Sequence, residues 1–152
     1  MMRGRRFLLA LFAGLTPFGA FAESGPYVPY SGIIRGTEGT TPVAVTIRND
    51  TGSPITCQAA LAHWYSADLG RLPTGGALPV ALHHDPENGE ISLLNDSADR
   101  MPVEALWCGL TESPKTARTR LTLPIRRGAV PTALTFVCSV QSDGAMACEL
   151  EG

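Results

Sequence analysis

The sequence predicts an all-β domain, a single antiparallel β-sandwich stapled by two disulfides, with a barrel as the second architecture. Three observations carry this expectation. Apolar residues recur at every second position in successive segments, and no stretch keeps a helical period beyond one or two turns. Clusters rich in Gly, Pro, Asn and Asp separate those segments at the spacing of short strands. The chain holds four cysteines, and two of them oppose each other across a hairpin signal.

In chain order, residues 1–22 read as a cleaved secretory signal peptide. Arg3, Arg5 and Arg6 precede a mostly apolar run, and Ala20-Phe21-Ala22 is a small-x-small cleavage site before Glu23. The run is too short to span a bilayer, and no later stretch is apolar and long enough to do so. Residues 23–41 are rich in Gly, Pro, Ser and Thr and read as an extended N-terminal arm, with Tyr27, Tyr30, Ile33 and Ile34 available to dock. The β-domain then spans residues 42–152.

Within it, "PVAVTIRN" (residues 42–49) puts Val43, Val45 and Ile47 on one face. "NDTGSP" is a turn; Asn49 and Asn95 each open a sequon but read as turn residues. "ITCQAALAHWY" (residues 55–65) reads as one strand, followed by a loop over residues 69–76. "LPVALHH" and "GEISLL" flank the hairpin signal "DPENG". "MPVEALWCGL" (residues 101–110) is a short apolar run. "TARTRLTLPI" (residues 116–125) alternates again, with Arg118 and Arg120 outward; Pro124 marks an edge strand or a bulge.

The last hairpin centres on Asp143, with Gly144 in the position that needs a left-handed backbone. Counting outward, Val140 opposes Met146 and Cys138 opposes Cys148 on a non-hydrogen-bonded pair, where Cα atoms approach to about 4.5 Å. A Cys138–Cys148 disulfide follows, and Cys57–Cys108 by elimination. There is no C-x-x-C redox spacing and no set of four spaced zinc ligands. The long link beside Trp64 and Trp107 resembles the immunoglobulin arrangement in outline. Trp64 follows Cys57 too closely for a tryptophan on the next strand, however, and no family is assigned.

Disulfides require an oxidising compartment. Lys115 is the single lysine among many arginines, a bias of GC-rich coding, and it points to a bacterial periplasm. Cleavage would remove three arginines and no acid, taking 12 bases against 14 acids to 9 against 14, a net charge of −5. Such a chain is a poor nucleic-acid binder. Charge is also segregated: residues 77–113 hold seven acids and one base, Arg100, whereas residues 115–127 hold five bases and no acid.

Catalytic signatures are missing, including G-x-S-x-G, and no catalytic residue or cofactor is assigned. His63, His83 and His84 are weak metal candidates, because neighbours on a strand point to opposite faces and no spaced histidine motif occurs. Core packing is the ordinary role for both tryptophans, yet Trp64 and Tyr65 cannot both face inward, so one is a candidate contact. Arg118 and Arg120, joined by Arg126 if the register survives Pro124, form either an anti-aggregation edge or a docking stripe for an acidic partner. The expected function is a non-catalytic accessory module that docks on another periplasmic or envelope protein or an anionic partner. A periplasmic copper or zinc binder is the alternative, and a small hydrolase comes third.

Overall fold

The computed structural model describes residues 32, 34–112, 118–128 and 133–152. The signal peptide, most of the arm including Tyr27, Tyr30 and Ile33, and Lys115 lie outside these residues. The described domain is all-β apart from one short 3-10 turn, Ala62–Trp64. Its strands are β1 (Thr41–Asn49), β2 (Ile55–Leu61), β3 (Ser66–Leu72), β4 (Ala77–His84), β5 (Ile91–Leu94), β6 (Arg100–Leu110), β7 (Arg118–Leu121), β8 (Ala133–Val140) and β9 (Met146–Leu150).

They join in one continuous sheet path, β3-β2-β6-β5-β4-β1-β8-β9, with β7 branching from β6. The branch exists because β6 changes partners along its length. Residues 100–102 pair with β5, and residues 106–109 pair with β7. Between them the register against β2 slips by one residue, leaving Glu104 as the extra residue of a bulge. Every pair is antiparallel except β1 with β8, a parallel pairing that the alternation pattern does not specify.

Alternating side chains fill one core. Val43, Val45 and Ile47 of β1 meet Ile55, Cys57 and Ala59 of β2, Leu106 and Cys108 of β6, and Phe136 and Cys138 of β8. Both disulfides are formed, and each joins directly opposed residues: Cys57 with Cys108 and Cys138 with Cys148. The Cys57–Cys108 bond therefore lies within one ladder, unlike the inter-sheet link of the immunoglobulin outline. The two bonds pack together, with the sulfurs of Cys108, Cys138 and Cys148 all within 4.8 Å of one another.

Two assignments from the alternation need correction. The strand read over residues 55–65 ends at Leu61, and residues 66–72 form strand β3, so residues 69–72 are strand rather than loop. The reason is a reversal at Ala62–Trp64, where His63 and Trp64 both take left-handed backbone angles (φ 62° and 68°). Neither residue type announces such a turn.

Polar side chains fasten the ends. Asn49 is fully buried; its amide donates to the carbonyls of Ser53, Leu72 and Pro73, and its Oδ1 accepts from the N–H and hydroxyl of Thr51. Arg100, the lone base in the acidic stretch, is buried as well and donates to the carbonyls of Gly36 and Glu38. It thereby ties the described end of the arm to β6. Asp99 adds an ion pair with Arg35 at 2.9 Å.

Candidate functional site

The β2–β6–β7 ladder exposes an outer face opposite its disulfide. Because Cys57 and Cys108 point inward, their neighbours point out. Gln58 lies opposite Trp107, and Trp107 opposite Arg120. Arg118 lies opposite Gly109, which has no side chain to block it. Both guanidinium groups converge on the half-buried Trp107 ring, Arg118 at 5.0 Å and Arg120 at 5.9 Å from its centroid. The negative π-face holds the two like charges near each other.

Arg120 is also anchored through Nη2, which donates to the carbonyl of Glu104 at 2.9 Å. The bulge thus supplies an acceptor that a regular ladder would have engaged. Among the described residues, no carboxylate lies within ion-pair distance of Arg118 or Arg120. Beside Trp107 and Arg118, a cavity of about 160 Å³ is lined by Thr56, Gln58, Gly109 and Thr111. On the other side of Arg120, a cleft of about 370 Å³ runs past Glu104 to Ile91, Leu123 and Ile125.

Arg126 does not extend this face. Strand β7 ends at Leu121, before Pro124, and the backbone at Arg126 and Arg127 rests instead against Gly89 in the β4–β5 turn. An added Cβ at Gly89 would lie 3.0 Å from the Arg127 nitrogen.

The aromatic candidates separate. Trp64 is 102% exposed and Tyr65 60% exposed, so both stand outside the core at the β2–β3 turn. Core packing therefore describes neither tryptophan: Trp64 is a peg and Trp107 the floor of the arginine face. The alternation over residues 55–65 missed this, because it did not foresee the reversal that lifts Trp64 out of the ladder.

The three histidines are not brought together. His63 is exposed on the turn. His83 and His84 point to opposite faces of β4, and His84 is fully buried with neither ring nitrogen hydrogen-bonded. Among the described residues, the one cluster of metal-ligating side chains is that of Cys108, Cys138 and Cys148, whose sulfurs are committed to disulfides. No helix among the described residues is long and apolar enough to cross a membrane. No protein-family model matches the chain, and no curated protein is significantly similar to it.

Proposed function

We propose that this chain is a secreted, periplasmic, non-catalytic binding module whose Trp107–Arg118–Arg120 face docks on an acidic partner. One observation carries the reading: two arginines are stacked on one tryptophan at the surface, with no carboxylate of their own among the described residues. Holding the guanidinium groups over the ring in advance leaves less side-chain freedom to lose when a carboxylate arrives. The disulfides and the N-terminal signal pattern support the oxidising compartment.

An immobilised polyglutamate peptide tests the face. Wild-type protein should be retained at low salt and released as salt rises, because exposed charges are screened beyond about 8 Å at physiological ionic strength. The Arg118→Ser, Arg120→Ser variant should lose most of that retention, mainly through slower association. Equal retention of both proteins would remove the face from consideration.

A further inference from the structure

The domain carries a second unpartnered feature, and its charge complements the first. At the β2–β3 turn, Trp64 projects entirely into solvent, with Tyr65 beside it. Acidic residues line the two cavities that adjoin this turn through His63 and Tyr65. Asp85 and Glu90 line a cavity of about 270 Å³ together with His63 and Ile34, itself 61% exposed. Asp68 and Asp96 line another, of about 550 Å³, together with Tyr65. The one base in the first cavity, Arg100, is engaged by backbone carbonyls. The turn is therefore an aromatic peg between two cavities with acidic linings, which together form an acidic collar.

Its backbone is also strained. His63 and Trp64 occupy left-handed conformations that glycine or asparagine would take at lower cost. Strain of this kind is retained where the displayed side chain has a use. The acidic collar opposes an anionic lipid surface and favours a cationic, aromatic receptor. Such a receptor exists in the same molecule.

We propose that the acidic partner of the arginine face is the β2–β3 turn of a second copy of this chain. Trp64 of one copy seats against Trp107, Arg118 and Arg120 of the other, its ring stacking on a guanidinium while the collar carboxylates neutralise the arginines. Among the described residues nothing within one copy makes this contact, and Trp64 is wholly exposed. The contact joins different patches on the two molecules, the heterologous type. The inference rests on the anion-docking reading above and names its partner.

Analytical ultracentrifugation of the purified protein tests it. Wild type should associate with rising concentration at low salt and dissociate at high salt. Trp64→Ser and Arg118→Ser, Arg120→Ser should each be monomeric, with melting temperatures showing that both remain folded. Mixing the two variants should restore association, because one supplies an intact arginine face and the other an intact peg. That mixture should stop at a dimer. Wild type that stays monomeric up to about 1 mM, the weak limit of specific association, overturns the inference; so does association that survives either variant, or a mixture that stays monomeric. Trp64-dependent binding to phosphatidylcholine vesicles by a monomeric wild type would overturn it in favour of a lipid contact. If wild type is monomeric yet polyglutamate retention still depends on Arg118 and Arg120, the docking reading stands and only its partner is wrong. If both fail, both fall.

Discussion

Asn49 makes five hydrogen bonds with one amide side chain, and it does so at full burial. Removing the amide orphans carbonyls of the β1–β2 and β3–β4 turns together. An unsatisfied buried polar group costs about 1–3 kcal/mol. Asn49→Ala should therefore lower unfolding free energy by about 2–4 kcal/mol, read from urea denaturation, whereas Asn95→Ala, at an exposed turn, should cost much less. The pH response belongs to the same scale. Asp99 is held below the ordinary carboxylate range, first by the hydrogen bond from Asn95 and then by Arg35. A depressed folded-state pKa gives stability that is present above the unfolded pKa, near 4, and lost as pH falls through the folded value. Asp99→Asn should remove that part of the acid-induced loss, measured as a flatter stability curve below about pH 4.

At the scale of elements, the β2–β3 turn makes the most distinctive prediction. His63→Asn with Trp64→Gly supplies residues that tolerate a left-handed backbone, and should raise stability by about 1 kcal/mol while abolishing any Trp64-dependent association. A drop in melting temperature would show that the turn is not strained as described. The contrast with the last hairpin explains what the sequence made legible. Between Cys138 and Cys148, Gly144 occurs where the turn needs it, and the pairing is observed residue for residue. At Ala62–Trp64 the turn residues carry no such signal, so β3 was invisible. The arginine face was half legible. Alternation placed Arg118 and Arg120 outward, but their partner Trp107 is found by noting that inward Cys108 forces its neighbour out. By period alone, Arg126 joins that face only if the register survives Pro124, and where β7 ends and what meets Gly89 depend on tertiary packing rather than period.

At the scale of the whole molecule, the disulfides and the sheet path divide the labour. Cys57–Cys108 closes a separation of 51 residues and Cys138–Cys148 one of 10. Loop-entropy reasoning assigns them about 4 and about 3 kcal/mol respectively. Cys57→Ala, Cys108→Ala should therefore destabilise more than Cys138→Ala, Cys148→Ala, as compared by thermal melting. The reverse order would mean that local packing around β8 and β9 outweighs chain entropy.

The parallel pairing of β1 with β8 bears on how the chain comes to be folded at all. Strand β1 sits between β4 and β8, and β8 is joined only to β1 and β9. The earliest of the described strands to leave the ribosome thus waits for nearly the last before its second edge is covered. Pairings this distant in sequence form slowly, because the intervening chain must first be closed into a loop. Until β8 arrives, the second backbone edge of β1 stays unpaired and the apolar face formed by Val43, Val45 and Ile47 lacks the cover of Phe136 and Cys138. If the chain is exported as proposed, threading through a narrow channel requires an unfolded chain, and a strand order this non-local would slow folding before release.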